Sequence, residues 1–382
     1  MRLIRSPWTN SLVALAAALL CAATLRLAPP AQAAPDGWKS EPIASSQNGS
    51  QKCAQLVFIG ARGSGEAPGM SRTIKAVRDQ IAEQPGVPKN VRQIYIDYPA
   101  LSIDPSILAD IETLLLGDDL TKIPYWDSTE KGVAEVKRVL LENVERCPNE
   151  KIVLVGFSQG AEAVNRGLSL AVKESPKVAE NLVAALLMGN PGNYSTQNVQ
   201  ILEGEPNQGS GGLSTTLWYL RTRALDDQSS GFERVQGIVK GIFDLYENKV
   251  PAEELRPIMT EHSYNIPDEI SARVYSVCND GDMICNAIPA LTRILSAQTS
   301  VNTELERSEP IHLSYPDHVQ ESVAAIGKAI NQQATAKPSV SSDSRPAEAQ
   351  REHGWIWWAA GGVGILAALG IFFGRGRSKA KQ

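Results

Sequence analysis

Residues 151–160 read KIVLVGFSQG, a short apolar segment followed at once by a serine between two glycines. The segment Lys151–Val155 is rich in β-branched residues, which predicts a buried strand. The glycines Gly156 and Gly160 indicate a sharp turn, because a Cβ atom at either position would collide with a neighbouring strand or helix. Residues after the turn have helical character. A G-x-S-x-G motif between a strand and a helix indicates that Ser158 is a nucleophile.

Strand-like and helix-like segments alternate on both sides of this motif. This alternation predicts the α/β class: a three-layer sandwich whose mainly parallel central sheet is covered by helices on both faces. The predicted strands are Gln55–Ile59, Val91–Ile96, Lys151–Val155, Leu182–Met188 and Ala272–Val277, and the predicted helices are Ser71–Glu83, Thr129–Val144, Ala161–Ala171 and Val319–Ile330.

A nucleophilic serine needs a base, and the base needs an orienting carboxylate. In this fold class the acid and then the histidine follow the serine along the chain. The acid candidates are Asp280 and Asp282, which come just after the last predicted strand. His262 precedes that strand, so the base candidates within the domain are His312 and His318.

Four ordered motifs resemble the cutinase family of serine esterases. They are Ala61–Glu66 (ARGSGE), Gly156–Gly160 (GFSQG), Cys278–Cys285 (CNDGDMIC) and His312–Tyr315 (HLSY). The resemblance runs from about Cys53 to Ile330. It implies an α/β-hydrolase fold for a catalytic domain at residues 53–331 and hydrolysis of carboxylic esters, with no metal or organic cofactor.

The resemblance also implies a role for individual residues. Ser158, Asp282 and His312 match the catalytic nucleophile, acid and base. Ser64 matches one oxyanion-hole residue, and the second donor is the backbone N–H group of Gln159.

Four cysteines remain after the first 33 residues, and an exported chain is expected to form disulfide bonds. The pairing implied by the resemblance is Cys53 with Cys147 and Cys278 with Cys285. The first bond would lie at the end of the sheet opposite the active site, because each of its cysteines precedes a strand. The second would fix the loop that carries Asp282.

The chain departs from small cutinases at residues 194–265, a long insertion before the acid loop. It contains a Gly-rich segment, Gly209–Gly212, and two helix-like segments, Phe232–Leu245 and Ala252–Met259. We expect this region to form a lid or wall of the acyl pocket, with residues 103–116 as the opposite wall. The alternative is that its helices only add packing to the domain.

Both ends of the chain resemble targeting segments. Residues 1–33 have the basic, apolar and small-residue order of a cleaved signal peptide. Residues 355–373 are 19 uncharged residues that begin with tryptophans and precede a basic tail at 374–382. This pattern predicts a single transmembrane helix with a cytoplasmic tail and an extracytoplasmic catalytic domain. Residues 34–52 are a lead-in, and residues 332–353 are predicted to be a flexible linker.

The formal net charge is −5, and the basic end segments leave the body of the chain still more acidic. An acidic body gives no electrostatic footprint for nucleic acid.

The motifs and the two end segments together predict an exported, membrane-anchored serine esterase or lipase. The resemblance suggests lipid esters of the cell envelope, such as mycolate esters, as substrates. The alternatives are an acyltransferase with the same triad and a non-catalytic envelope lipid-binding protein. The oligomeric state stays open.

Overall fold

The computed structural model describes residues 36–102, 111–117, 119–204, 211–224 and 231–335. The predicted signal peptide at 1–33, most of the predicted linker, the predicted transmembrane helix at 355–373 and the basic tail lie outside these ranges. Within these ranges, no helix is both long enough and apolar enough to cross a bilayer.

In the described part of the chain, six parallel strands form one central sheet, which confirms the predicted α/β class. The strands are β1 (Ile43–Ala44), β2 (Leu56–Ala61), β3 (Val91–Tyr95), β4 (Lys151–Phe157), β5 (Leu182–Met188) and β6 (Val274–Val277). Their spatial order is β1-β3-β2-β4-β5-β6. Strand β4, which leads into the serine motif, therefore lies between β2 and β5 in the interior of the sheet.

Helices cover both faces of this sheet. The helices of the described part of the chain are α1 (Arg72–Ala82), α2 (Ile111–Leu116), α3 (Pro124–Arg146), α4 (Gln159–Glu174), α5 (Pro176–Asn181), α6 (Leu213–Ala224), α7 (Gly231–Tyr246), α8 (Ala252–Glu261), α9 (Asp268–Ser271), α10 (Ile288–Leu295), α11 (Val301–His312) and α12 (Gln320–Thr335). Helices α3 and α4 pack on one face and α1 and α12 on the other.

The strands are buried on both sides, which explains their continuous apolar sequences. In β4, Ile152 and Leu154 join the core beneath α3 and α4, whereas Val153 and Val155 join the core beneath α1 and α12. Period-two alternation thus places neighbouring side chains in two separate cores. At the end of β4 the chain emerges at the edge where all parallel strands finish, and this positions the site.

The five predicted strands are confirmed, each to within two residues of its expected ends. The sequence pattern does not indicate β1, which has only two residues. It also gives no sign of α6, α10 and α11. Two of these follow glycine-rich or disulfide-bonded segments, where the apolar spacing is interrupted.

The end of the sheet opposite Ser158 is held by a disulfide bond and a buried ion pair. Cys53 and Cys147 form the disulfide bond, with a Cα–Cα distance of 5.6 Å. Beside it, Glu150 accepts hydrogen bonds from Arg92 Nε at 2.8 Å and from Ala54 N at 2.6 Å. The disulfide bond and the bonds of Glu150 therefore connect the amino ends of β2, β3 and β4.

Replacing Cys53 and Cys147 together with serine is expected to lower the free energy of unfolding by about 2–5 kcal/mol, because the bond closes a long loop. The hydrolysis of a soluble ester by the folded variant should stay close to wild type, since this bond is far from the strand ends that carry the site. Urea unfolding and initial rates measure the two effects. A folded variant that has lost its activity would show that this end of the sheet also shapes the active site.

The described parts of residues 194–265 form a packed region with an apolar core separate from those of the sheet. Its helices α6, α7 and α8 surround the buried side chains of Tyr219, Met259 and Tyr264, and Leu115 of α2 joins them. The region is also bonded to the acid loop, because Leu213 N donates to the carbonyl of Ile284 at 2.9 Å. Its described helices are therefore an integral part of the domain.

Candidate active site

Ser158 lies in the turn between β4 and α4, in an uncommon backbone conformation. Its φ is 55° and its ψ is −124°, in a region that residues with a Cβ atom seldom occupy. A Cβ atom on Gly160 would lie 2.3 Å from the carbonyl oxygens of Ala61 and Arg62. Only glycine at residue 160 lets α4 start this close to β2, so the backbone has the strained geometry of a nucleophile elbow.

Gln159 opens α4 directly after Ser158. Its side chain is buried, and its Nε2 atom donates to Tyr125 O at 3.0 Å and to Thr129 Oγ1 at 3.0 Å. These bonds to α3 fix the first turn of α4. The N–H groups of a first helical turn have no intrahelical acceptor and carry the positive end of the helix dipole. The backbone N–H of Gln159 is thus in a position to bind negative charge.

Asp282 is fully buried within the short loop closed by the disulfide bond Cys278–Cys285, whose Cα–Cα distance is 5.8 Å. Its Oδ1 atom accepts the N–H group of Ile284 at 2.9 Å and the hydroxyl of Ser308 at 3.4 Å. Its Oδ2 atom accepts the phenol of Tyr315 at 2.7 Å. Both carboxylate oxygens are therefore held by donors from three segments, which fixes the orientation of the group.

His312 is the last residue of α11 and contacts this carboxylate directly. Its Nδ1 atom lies 2.8 Å from Asp282 Oδ2, and because a carboxylate only accepts, the bond forms when Nδ1 carries the proton. This bond leaves Nε2 as the ring nitrogen able to accept a proton. The imidazole is mostly buried, with 14% of its side chain exposed. The pair has the arrangement of a base oriented by an acid.

The end of β5 places Ser158 and His312 at the same edge of the sheet. Ser158 N donates to the carbonyl of Met188 at 2.8 Å. The next residue, Gly189, packs against His312 so closely that a Cβ atom there would lie 2.8 Å from the ring carbon Cε1. The ring of Phe157 lies 4.8 Å from the imidazole, centroid to centroid. The imidazole of His312 therefore contacts Phe157 at the end of β4 and Gly189 just after β5.

The other acid and base candidates occupy different places. Asp280 and His318 are exposed and line a cleft of about 560 Å³ that contains none of Ser158, Asp282 and His312. Of the candidates that the sequence leaves open, the structure joins only Asp282 and His312.

His262 lies away from the acid loop. Its ring stacks on the indole of Trp218 with a centroid distance of 3.6 Å. Burial lowers the pKa of His262, which favours the neutral imidazole. A stacked, neutral histidine in the inserted region fits a packing role.

The loop that carries Ser64 passes beside Ser158. A Cβ atom on Gly63 would lie 3.2 Å from Ser158 Cβ. The loop is fixed from below, because Glu66 Oε2 accepts the N–H group of Gly63 at 2.7 Å. The buried guanidinium of Arg62 donates to main-chain carbonyls that follow β3, those of Ile96, Tyr98 and Pro99. The acid and the arginine of ARGSGE thus hold the candidate oxyanion loop in place.

Sequence reasoning missed two of the side chains that hold the acid. Tyr315 donates to Asp282, and burial together with the negative charge of that carboxylate raises the pKa of the phenol, which therefore stays a donor. Its position in HLSY was the available signal. Ser308 gives no signal in the sequence, because a serine in the middle of a polar helix is ordinary.

Glu162 in the first turn of α4 is a second buried acid that the sequence analysis did not single out. Its Oε1 atom accepts the hydroxyl of Tyr264, and its Oε2 atom accepts Ser214 Oγ at 2.8 Å. Arg166 Nη1 lies 3.7 Å from Oε1. Because Ser214 and Tyr264 belong to separate segments of the insertion, Glu162 binds two parts of that region to α4, the helix that follows Ser158. The sequence did contain a signal, because Glu162 is a charged residue among the small and apolar residues that follow GFSQG.

The substitution Glu162→Gln should flatten the dependence of stability on pH. Burial raises the pKa of Glu162 in the folded chain, so this group favours folding most below its unfolded pKa of about 4.3 and loses that contribution as pH rises through the folded value. The loss is at most about 1.4 kcal/mol per pH unit. Urea unfolding between about pH 4 and pH 8 should show that the free energy of unfolding of the variant rises relative to that of wild type as pH rises. A difference in this free energy that does not change with pH would contradict a raised pKa of Glu162.

A small cleft with a largely apolar surface adjoins His312. It has a volume of about 270 Å³, and its other lining residues are the apolar Met283, Ile284 and Leu305 and the polar Glu306, Ser308 and Glu309. The acid loop thus supplies both the carboxylate and an apolar surface beside the imidazole.

The profile of the cutinase family matches residues 52–304, more than half of the chain. The chain belongs to the cutinase family. Its parallel sheet, with helices on both faces and a G-x-S-x-G elbow after β4, is the α/β-hydrolase fold of that family.

Two curated relatives share about a quarter of their aligned residues with this cutinase-family chain. Carboxylesterase Culp1 of Mycobacterium tuberculosis is 27% identical over 139 residues, which cover 36% of this chain and 52% of the relative. Acetylxylan esterase 2 of Talaromyces purpureogenus is 27% identical over 152 residues, covering 37% and 58%. The chain thus spans about half the length of the curated relatives it matches.

The chain is also similar to solved structures of low sequence identity. The catalytic core domain of acetyl xylan esterase from Trichoderma reesei is 16% identical, with a TM-score of 0.42; the alignment covers 73% of this chain and 99% of that one. The family assignment rests on the profile match.

Proposed function

We propose that the protein is an exported serine esterase that hydrolyses carboxylic esters with Ser158 as nucleophile, His312 as base and Asp282 as the orienting acid. The observation that carries the proposal is the bond of 2.8 Å between His312 Nδ1 and Asp282 Oδ2, at the same sheet edge as a serine in a strained elbow. The names of the two curated relatives, a carboxylesterase and an acetylxylan esterase, support the same reaction class.

In the proposed mechanism, Ser158 Oγ attacks the ester carbonyl while His312 Nε2 takes its proton. The tetrahedral intermediate collapses, and the alcohol leaves with that proton. Water, activated by the same nitrogen, then attacks the acyl-enzyme and releases the acid. Asp282 holds the imidazole in the required tautomer and stabilises the imidazolium.

The oxyanion would be bound by the N–H groups of Gln159 and Ser64. The first lies at the start of α4, and the second lies in the loop that passes beside Ser158. Removal of one such donor typically reduces turnover by about 10²–10³-fold. The bonds of Arg62 and Glu66 to their loop support this assignment, because an oxyanion hole stabilises charge only when it is fixed before the reaction.

For the substrate, we propose lipid esters of the cell envelope, including mycolate esters. The apolar cleft of Met283, Ile284 and Leu305 would receive an alkyl group, and residues 194–265 would form a wall of the site that Glu162 holds in place. Two disulfide bonds suit an oxidising, extracytoplasmic location. The apolar segment at 355–373 would anchor the domain on the outer face of the membrane.

A panel of esters tests the proposal directly. Full-length protein should hydrolyse nitrophenyl esters from acetyl to palmitoyl, and it should release free fatty acid from an envelope lipid extract. The same extract supplemented with trehalose or glycerol separates hydrolysis from acyl transfer, because transfer would produce new acylated sugar or glycerol. No turnover of any ester by folded protein would contradict the proposal.

A further inference from the structure

Helix α7 has two apolar faces, and only one of them packs against the described part of the domain. Ile242 and Leu245 are buried in the core of the inserted region, and Ile238 packs against that core. A second row on the same helix points outward: Phe232 is 72% exposed, Val235 57%, Phe243 36% and Tyr246 51%. Val239, which lies between them in the row, is partly exposed.

The spacing shows that the outward row is one continuous stripe. Residues 232, 235, 239, 243 and 246 follow one another at intervals of three and four, so they lie on one side of a helix that turns by about 100° per residue. Lys240 lies about 120° around the helix from Tyr246 and is exposed. The helix thus has a buried apolar side, an exposed apolar stripe and a polar side.

We propose that the exposed stripe, Phe232, Val235, Val239, Phe243 and Tyr246, is a docking surface that inserts into the interfacial layer of a lipid bilayer. Helices with this division between apolar and polar sides lie in the plane of the interface, with their aromatic and aliphatic side chains below the headgroups. Exposed aromatic residues are costly on a monomer in water and point to an interaction site.

The position of the apolar segment at 355–373 in the sequence favours a bilayer as the partner. Helix α12 ends at Thr335, and the uncharged segment begins at Trp355. The 19 residues between them span at most about 65 Å even when fully extended, so a domain anchored by residues 355–373 would stay within reach of the membrane surface. The helix itself carries Glu233, Arg234, Lys240 and Asp244, whose charges cancel. The surface therefore suits a zwitterionic bilayer.

The size of the stripe argues against a second copy of the chain. A stable dimer buries about 800 Å² on each partner, whereas a single helical row exposes on the order of a few hundred Å². A lipid interface needs no matching pocket and accepts such a narrow row.

Fluorescence quenching in vesicles tests the contact without relying on catalysis. Full-length protein is reconstituted in phosphatidylcholine vesicles that contain dibromo-phosphatidylcholine, as Tyr246→Trp and, as the matched control, as Lys240→Trp. After subtraction of the wild-type emission, the tryptophan at 246 should lose roughly half its intensity or more to the brominated chains, whereas the tryptophan at 240 should lose little. Equal quenching at the two positions would overturn the proposal.

A second measurement separates docking from catalysis and rests on the proposed function. A full-length variant with Phe232→Ser, Val235→Ser, Phe243→Ser and Tyr246→Ser should hydrolyse an ester embedded in the vesicles about tenfold more slowly and nitrophenyl acetate at the wild-type rate. Unchanged hydrolysis of both esters would overturn the docking role. If wild type turned over neither ester, the proposed function would fail, and the quenching result would still decide the contact.

Two further results would also count against a bilayer. A wild-type dimer that the four serines dissociate would assign the stripe to a second copy. Binding of a protein to wild type but not to the variant, with no quenching at residue 246, would assign it to that protein.

Discussion

Ester hydrolysis by the Ser158→Ala protein is expected to fall by about 10⁵–10⁶-fold, to the level left by binding and by the oxyanion donors alone. The substitution removes the only atom of the protein that forms a bond to the acyl group in the proposed mechanism. It should leave the fold intact, because the elbow is held by main-chain bonds: Ser158 N donates to Met188, and Ser158 O accepts from Ala161. Initial rates with nitrophenyl acetate and the melting temperature measure both expectations.

The matched control is Ser46→Ala, which removes the hydroxyl of an exposed serine just after β1, an edge strand of the sheet. Its rate should equal that of wild type. Turnover by Ser158→Ala within tenfold of wild type would show that another group attacks the ester, and the proposed mechanism would be wrong.

The substitution Asp282→Asn is expected to reduce kcat by about 10⁴-fold. Asp282 Oδ2 accepts from both His312 and Tyr315, whereas the amide nitrogen of asparagine can accept from neither. If the amide oxygen takes the place of Oδ2, the NH₂ group faces the N–H of Ile284, which then has no acceptor. The reversed amide relieves that conflict but faces His312 and Tyr315 with its NH₂ group, so the imidazole loses either its tautomer or its orientation, although substrate contacts are unchanged.

The neighbouring variant Asp280→Asn is a close control, since it makes the same chemical change two residues away on an exposed side chain. Its kcat should lie within about twofold of wild type, because surface substitutions of this kind leave buried geometry unchanged. Equal losses in the two variants would indicate that the whole loop, and not the carboxylate of Asp282, supports catalysis.

The sheet could be predicted from sequence because burial on both faces leaves a clear trace. Strands β4 and β5 are almost wholly apolar, and each ends in a glycine-containing turn. The apolar composition of these strands was therefore enough to predict where they lie in the sequence. Strand β1 has two residues and pairs only with β3, which is too little sequence for any pattern.

The site was predictable where function imposes a local motif. GFSQG requires Gly160 because of its contacts with Ala61 and Arg62, and Gly156 because of its contact with the start of α4 at Ala161. The cysteines bracket Asp282 within eight residues. The choice between Asp280 and Asp282 could not be made from the residues alone. It depends on which carboxylate turns inward, and that follows from the disulfide loop and from donors on α11.

The support around the site was not predictable, since it comes from distant segments. Ser308 reaches Asp282 from the turn before His312, and Tyr264 reaches Glu162 across 102 positions of sequence. The insertion also breaks the alternation of strand and helix, so its packing partners, α2 and α10, could not be inferred from spacing.

A fluorophosphonate probe followed by peptide mass spectrometry tests the central claim most directly, because it reports where the activated hydroxyl lies. The account predicts one adduct on Ser158 in full-length wild type, slower labelling of the Asp282→Asn protein and none of the Ser158→Ala protein. An unlabelled wild type, or an adduct on a different serine such as Ser64, would contradict it.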